Sequence, residues 1–382
     1  MILHIADDEK FIDSVIEIFE TVAPGNNIYL INHPSVDSLH YIKYRGLGLY
    51  VFNYNSTKYK EVINRPFNAV IFHGLWGYKY ELVNQFSDNI HLHWISWGFD
   101  LYFIPPLLRN LLLPETRRIH FNELKRKDKI IQKLAMDYAR LWNVLNMFRY
   151  GELSDYYKLK KALKRIHSIS TVVENEYLLV QRYLTKKISY LPFRYGSIEQ
   201  FGKGIYNEIC TEDCILIGNS ATYSGNHLDA FQVLCQTKIS NPVYVPLSYG
   251  DKHYGQLIAE QGKQLFGEKF HPLFDFIPLD EYNQILKKCG IVVMNYVRQQ
   301  AMANIIVALW LGARIYLRPE NPVYQFLCQN DFKIFDINHF EIECSETHEN
   351  LALWNRERLA KFYRHDVILD LTANLVQNLN RS

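Results

Sequence analysis

Short apolar runs recur at Ile2 to Ala6, Asn27 to Ile31, Ala69 to Phe72 and His91 to Ile95, with stretches between them long enough for helices or long loops. Unbroken runs of this kind fit strands buried on both faces, so the pattern predicts βα alternation and a parallel sheet. A periodic segment follows, with Ile130, Ile131, Leu134, Tyr138, Leu141, Trp142, Leu145 and Phe148 on one face and Lys129, Lys133, Asp137 and Arg140 on the other. That spacing predicts an amphipathic helix. Ser168 to Val173 and Ile188 to Pro192 read as two further strands, the first followed by a helix from Glu174.

From Phe193 to Asp213 the apolar density falls and Gly196, Gly202 and Gly204 appear, a composition suited to a connection between domains. Beyond it, strands are predicted at Cys214 to Ile217, Val243 to Pro246, Phe274 to Ile277, Gly290 to Asn295 and Arg314 to Leu317. Helices fall between them at His227 to Cys235, Tyr254 to Phe266, Leu279 to Lys288 and Ala301 to Leu311. The expected organisation is an amino-terminal Rossmann-like domain over 1–195, containing a basic helical segment at 107–166. A linker at 196–212 follows, then a second Rossmann-like domain over 213–348 and a carboxyl-terminal helix within 349–382 that packs back on the first. A length of 382 residues, 48% apolar and 14% aromatic, supplies material for two cores.

The formal charge of +2 argues against bulk nucleic-acid binding. It is unevenly spread: Leu107 to Ile166 holds 15 Lys/Arg against 6 Asp/Glu. Interleaved with Leu111, Leu112, Leu113, Trp142, Phe148 and Tyr150, the basic stretch from Arg109 to Arg165 suits an anionic lipid surface, although solvated helix faces explain most such runs. The six cysteines lack zinc-ligand spacing, so reduced thiols and no metal are expected. Acidic residues follow Met1 to Ala6 too soon for a secretory leader and no long apolar span occurs, so the expected location is cytoplasmic.

The order of parts from Cys214 to Pro322 suits a nucleoside diphosphate held at the carboxyl ends of a parallel sheet. Gly218, Asn219, Ser220, Ala221 and Thr222 follow a strand and precede a helix, where backbone N–H groups and small hydroxyls can meet a phosphate; a plain βα turn is the alternative. Arg298, Gln299 and Gln300 stand before the helix opened by Ala301, so a cation, two amides and a positive helix end converge on an anion. Arg298 paired with a surface carboxylate is the rival reading. Glu320 and Asn321 follow a strand, the first placed to bind ribose hydroxyls and the second to cap the helix from Pro322.

In the first half, Trp97, Gly98, Asp100 and Tyr102 form a turn that is expected to expose an aspartate among aromatic rings. Such a carboxylate can take a proton from a sugar hydroxyl, or it can bond the N–H groups of its own turn. His73, also at a strand end, is a weaker candidate for the same crevice.

Two successive doubly wound α/β domains facing each other across a cleft describe the GT-B architecture of nucleotide-sugar glycosyltransferases. The blocks Trp97-Gly98-x-Asp100-Leu101-Tyr102, Gly218-Asn219-Ser220 with Asn226-His227, Val245-Pro246-x-x-Tyr249, Arg298-Gln299-Gln300 and Asn321-Pro322 occur in one order along most of the chain. Together they resemble the TDP-N-acetylfucosamine:lipid II N-acetylfucosaminyltransferase family, glycosyltransferase family 56, which builds enterobacterial common antigen. The resemblance implies a metal-independent, inverting hexosyltransferase without cofactor. Its donor would be a TDP- or UDP-linked sugar and its acceptor a polyprenyl-diphosphate-linked glycan at the inner face of the cell membrane. On this reading Asp100 is the expected base, Tyr249 is expected to meet the sugar or phosphate of the donor, and His73, Trp97, Gly98 and Tyr102 are expected on the acceptor side. The chain departs from the pattern at Ala301, where a glycine is expected, and at Thr222-Tyr223, where a more polar pair is expected. From the residues alone two rivals stand: a GT-B-shaped nucleotide-sugar epimerase or hydrolase, and a non-catalytic glycan- or partner-binding protein.

Overall fold

A computed structural model describes residues 1–54, 56, 59–108 and 110–381, without side-chain detail at 105, 106, 132–136 and 139. Arg109 and the side chains of Lys133 and Leu134 therefore lie outside the described residues. The chain forms two compact units. One comprises Met1–Pro105, Asp137–Ser197 and His365–Ser382; the other comprises Pro106–Met136 and Ile198–Arg364.

The first unit holds seven parallel strands: β1 (Ile2–Asp7), β2 (Asn27–Asn32), β3 (Leu49–Phe52), β4 (Ala69–His73), β5 (His91–Ile95), β6 (Ser168–Ser170) and β7 (Ser189–Tyr190). Their order is β3-β2-β1-β4-β5-β6-β7, so the chain reverses direction across the sheet between β1 and β4. β4 is buried throughout, as its apolar run predicts. β3 escapes the sequence pattern because it lies at the sheet edge and only Phe52 is buried. The helix His365–Arg381 belongs to this unit and buries Leu375, Val376 and Leu379 among Ile2, Val15, Phe19 and Ile71.

The second unit holds β8 (Ile215–Ile217), β9 (Val243–Pro246), β10 (Phe270–Leu273), β11 (Ile291–Met294), β12 (Arg314–Leu317) and β13 (Phe335–Asp336). They pair in parallel in the order β10-β9-β8-β11-β12-β13, with the reversal between β8 and β11. The strand expected over Phe274 to Ile277 is instead a loop, and β10 begins at Phe270. Pro272 within β10 obscures the strand signal, and its missing N–H is tolerated because β10 is an edge.

The basic segment expected at 107–166 within the first domain is divided. Pro106–Met136 groups with the second unit because Asp229 caps the helix Pro114–Glu123, accepting from Glu115 N (3.0 Å), Thr116 N (3.0 Å) and Thr116 Oγ1 (2.7 Å). Asn226 holds the approach to that helix, accepting from Leu113 N at 2.8 Å and donating to Leu111 O at 3.0 Å. The single periodic face expected around Ile130 to Phe148 is split between helices Arg126–Asp137 and Ala139–Tyr150, broken at Tyr138 (φ −130°, ψ 49°). Among the described residues, no helix is long and apolar enough to cross a membrane.

Three histidines are buried in the first sheet: His4, His73 and His93. Asn27 Nδ2 donates to Ala23 O (2.9 Å) and Glu20 Oε1 (3.1 Å), which turns its Oδ1 toward His4 Nε2 at 3.3 Å. His4 Nε2 therefore carries the proton, and His4 Nδ1 accepts from His73 Nε2 at 3.0 Å. His93 lies between Ser168 Oγ (2.7 Å) and Ser170 Oγ (2.9 Å) on β6. Burial pushes the pKa of His4 and of His93 down to about 3, and that of His73 well below the usual value of 6.5. The folded unit thus binds fewer protons than the unfolded chain below 6.5, and stability falls as pH drops from there toward the folded values. Each histidine contributes about 1.4 kcal/mol per pH unit in that window. The urea midpoint of the first unit is expected to fall steeply between pH 7 and pH 4.5; a midpoint independent of pH over that range contradicts this account of the core.

Candidate functional site

The second unit brings most of the expected donor residues to its switch point. The loop after β8 starts at Gly218, which takes a positive φ of 69°. A Cβ there would lie 2.6 Å from His227 Nε2, so the buried imidazole fills the space a side chain would need. Sequence reasoning had no signal for this role of His227. Its own environment, sealed behind the loop, lowers its pKa to about 4 by burial.

Asn219 is the hub of this loop. Its Oδ1 accepts from Tyr296 Oη (2.7 Å), Gln300 Nε2 (3.1 Å) and Ser220 Oγ (3.3 Å), while its Nδ2 donates to Tyr249 Oη (3.0 Å). Gln300 Nε2 also reaches Ser220 Oγ (3.3 Å) and Thr222 Oγ1 (3.2 Å), and its Oε1 accepts from Ser224 Oγ at 2.9 Å. Gly218, Asn219, Ser220, Thr222, Tyr249 and Gln300 are thus held together from the carboxyl ends of β8, β9 and β11. Ala221 N donates to Tyr249 O and Asp251 N donates to Ala221 O, both at 2.8 Å, which ties the β8 and β9 loops by backbone as well.

Ala301 caps the helix Met302–Leu311 with φ 60° and ψ 29°, the left-handed region, and makes no side-chain capping bond. The first N–H groups of this helix have no intrahelical acceptor, so its positive end opens beside Gln300. Gln299 is buried, and Arg298 Nη1 donates to Gln299 O at 2.8 Å. Asn321 is buried and structural: it caps Val323 N at 2.8 Å and donates to Tyr296 O (2.9 Å) and Arg298 O (3.0 Å), fixing the segment that carries Arg298. Glu320 stands apart from this network, paired with Arg318 at 3.3 Å in its own loop.

In the first unit, the expected exposed base is not exposed. Asp100 is 0% accessible and accepts four hydrogen bonds: from Leu75 N (2.9 Å), Trp94 Nε1 (2.8 Å), Ser96 Oγ (3.0 Å) and Trp97 N (2.9 Å). Burial raises its pKa and those bonds oppose the rise. The carboxylate joins the loops after β4 and β5 and has no face left for a substrate. His73 is likewise buried, with Tyr195 Oη 3.5 Å from its Nδ1. Tyr102 and Gly98 (φ 90°) are buried parts of the same turn. Trp97 is half-buried and joins Trp76, Phe11 and Tyr195 in an aromatic wall, with ring centroids 5.6, 6.4 and 5.6 Å from its own.

Sequence reasoning missed the groups at the switch point between β1 and β4. Lys79 is fully buried; its Nζ donates to His73 O at 2.6 Å, pairs with Asp7 Oδ2 at 2.9 Å and sits 3.8 Å from the Trp76 centroid. Desolvation lowers its pKa, opposed by the charge of Asp7. Glu9, half-buried just past β1, has its carboxyl pushed up by burial first and by the Asp7 charge second. The available signal was the acidic run Asp7-Asp8-Glu9 at the end of an apolar strand.

Two doubly wound parallel sheets, one in each unit, make up the GT-B fold, which the chain shares with solved glycosyltransferase structures. The chain belongs to the 4-alpha-L-fucosyltransferase glycosyl transferase group 56 family, whose model matches residues 139–375, and it is a glycosyltransferase. Its fold is similar to that of HepE from Anabaena in complex with UDP, at 10% identity over 99% of this chain and 100% of that one, TM-score 0.66. It is also similar to an alpha,alpha-trehalose-phosphate synthase from Burkholderia xenovorans in complex with glucose-6-phosphate (8% identity, 99% and 100% covered, TM-score 0.59). Sucrose-phosphate synthase from Thermosynechococcus elongatus shares the fold at 9% identity, with 99% of each chain covered and a TM-score of 0.58.

Replacing Asp100 with Ala strands four buried donors, a loss of about 3 kcal/mol that lowers the melting temperature of the first unit by roughly 6–12 °C. An unchanged melt contradicts the structural role. Ala301→Gly relieves a left-handed alanine and is expected to stabilise the second unit by about 1 kcal/mol in chemical denaturation, whereas destabilisation contradicts the strain.

Proposed function

We propose that this glycosyltransferase moves an N-acetylated deoxyamino sugar from a TDP- or UDP-linked donor to a lipid-linked oligosaccharide in bacterial surface polysaccharide synthesis, with inversion and without a metal. The observation that carries the donor half is the Asn219-centred network beside the open end of helix Met302–Leu311. Backbone N–H groups there and the Arg298 guanidinium offset the charge that develops on the departing diphosphate. Gln300 fixes the segment between them, and the Gln299 carbonyl holds the guanidinium.

The acceptor half rests on the first unit. Asp100, expected as the base, is enclosed, so the role passes to Glu9, a half-buried carboxylate of raised pKa at the switch point. In the step, the acceptor hydroxyl oxygen bonds to the sugar's anomeric carbon, the bond from that carbon to the diphosphate breaks, and the hydroxyl proton passes to Glu9. Lys79 and Asp7 hold the local charge, and the rings of Trp76, Trp97 and Phe11 suit the apolar face of a pyranose.

A lipid-linked acceptor and peripheral attachment to the inner membrane face are supported by helix Ala139–Tyr150. It exposes Leu141, Leu145, Tyr150 and Phe148, the last 87% accessible, beside Arg140 and Arg149. Apolar rings flanked by cations match an anionic lipid surface.

The test is transfer from TDP- and UDP-linked amino sugars to a polyprenyl-diphosphate-linked glycan in the presence of a chelator, with the anomer of the product read by NMR. Glu9→Gln is expected to lower kcat at least about 100-fold while nucleoside diphosphate affinity stays within a few-fold. An active Glu9→Gln enzyme overturns the base assignment, and activity abolished by the chelator and restored by magnesium overturns metal independence.

A further inference from the structure

The amino ends of β5, β6 and β7 form the edge of the first sheet opposite Glu9, and a hydrogen-bonded chain fixes the protons there. Ser170 Oγ donates to Leu191 O, so it accepts from His93 Nε2 at 2.9 Å. The buried His93 is neutral, so its Nδ1 accepts from Ser168 Oγ at 2.7 Å, and Ser168 Oγ accepts in turn from His91 Nε2 at 2.6 Å. His91 therefore carries a proton on Nε2, and Nδ1 is the nitrogen that gains one when the ring becomes charged. His167, its ring centroid 5.2 Å from that of His91, accepts from Leu92 N through Nδ1 at 2.9 Å and so carries its own proton on Nε2.

Two cations adjoin these half-buried rings. Arg165 donates to Phe86 O at 2.9 Å and pairs at 3.0 Å with Asp88, whose side chain is 96% exposed. Lys186, half-buried just before β7, has no ion-pair partner among the described residues. Burial, then His167 and Lys186, pushes the pKa of His91 down to about 4. Burial, then Lys186 and Arg165, lowers that of His167, with Asp88 acting the other way, and burial, then Arg165, lowers that of Lys186. Four basic groups are thus gathered where water is partly excluded, against one well-solvated carboxylate. An incoming anion relieves both the desolvation and the mutual repulsion.

We infer that His91, Arg165, His167 and Lys186 form a binding site for a phosphate group at the amino ends of β5, β6 and β7. The site belongs to the first unit, whereas the Asn219 cradle belongs to the second. Arg165 and Lys186 supply fixed charge, His167 offers Nε2–H, and His91 Nδ1 takes up a proton as the oxyanion arrives. A phosphate suits this set because its oxygens are acceptors and the protein groups are donors, and the same chemistry serves a soluble phosphorylated molecule or a lipid headgroup. Since the anion favours the imidazolium forms that the empty site disfavours, binding takes up protons and strengthens as pH falls.

Calorimetric titration of the full chain with inorganic phosphate and with sulfate, whose charge is constant between pH 8 and pH 6, tests this, with the His91 and His167 imidazole signals followed by NMR. Vesicles of phosphatidylcholine with and without phosphatidylglycerol separate the two sources. Binding is expected to tighten at least about fivefold from pH 8 to pH 6, to move both imidazole signals, and to weaken about tenfold in Lys186→Gln with recovery in Lys186→Arg. If Lys186→Gln weakens the free anions and leaves vesicle attachment unchanged, the occupant is a soluble phosphate; if it removes attachment to the phosphatidylglycerol vesicles, the occupant is a headgroup. Free anions and anionic vesicles that all bind Lys186→Gln as tightly as the wild type overturn the site. So does binding that leaves both imidazole signals in place or is equal at pH 8 and pH 6.

Discussion

One side-chain amide organises the second unit's catalytic end. Asn219 accepts and donates at once, binding Tyr249 at the end of β9 and Tyr296 and Gln300 after β11 to its own loop after β8. These loops leave the carboxyl ends of parallel strands on both sides of the switch point, and pairing of the strands alone does not hold the loops to one another. The amide does, because its oxygen accepts from three partners and its nitrogen donates to a fourth, from loops after three strands. Gly218 permits the close turn, His227 fills the space beneath it, and Asn321 secures the segment bearing Arg298. An oxyanion arriving at such a site meets dipoles already aligned, which is the condition for electrostatic stabilisation of a leaving group.

The first unit solves a different problem, that of burying charge and imidazole inside a parallel sheet. His4 and His73 are kept neutral by desolvation, with protons directed by Asn27, while Lys79 keeps its place through Asp7, the His73 carbonyl and the Trp76 face. Asp100 performs the same service for the loops after β4 and β5. Its carboxylate is enclosed by four donors, whereas Glu9 is incompletely buried and beside another negative charge, which is the basis of the base role we propose for it.

Most of the sheet architecture was legible in the sequence, since fully buried strands such as β4, β8 and β11 present apolar runs. Three of the four edge strands were not: β3 is half-exposed, β10 contains Pro272 and β13 is two residues long, whereas the edge strand β7 falls within the expected Ile188 to Pro192. The Gly218 to Thr222 loop and the Arg298 to Ala301 helix start were found from their positions after strands. The Asp100 turn was located, but whether its carboxylate faces outward or inward depends on Leu75 and Trp94, contacts set by chain packing and invisible to spacing. The docking of Pro106–Met136 on the second unit depends on Asp229, more than a hundred residues distant in sequence from Thr116, and no local signal announces it.

The central claim is that the Asn219-centred cradle is a preorganised site for a nucleoside diphosphate. Titration calorimetry of the wild type and of Asn219→Ala with TDP and UDP tests it most directly. The account expects saturable one-to-one binding by the wild type and at least about tenfold weaker binding by the variant, from loss of a charge-facing hydrogen-bond hub. A wild type that binds neither nucleotide, or an Asn219→Ala variant that binds as tightly as the wild type, contradicts it.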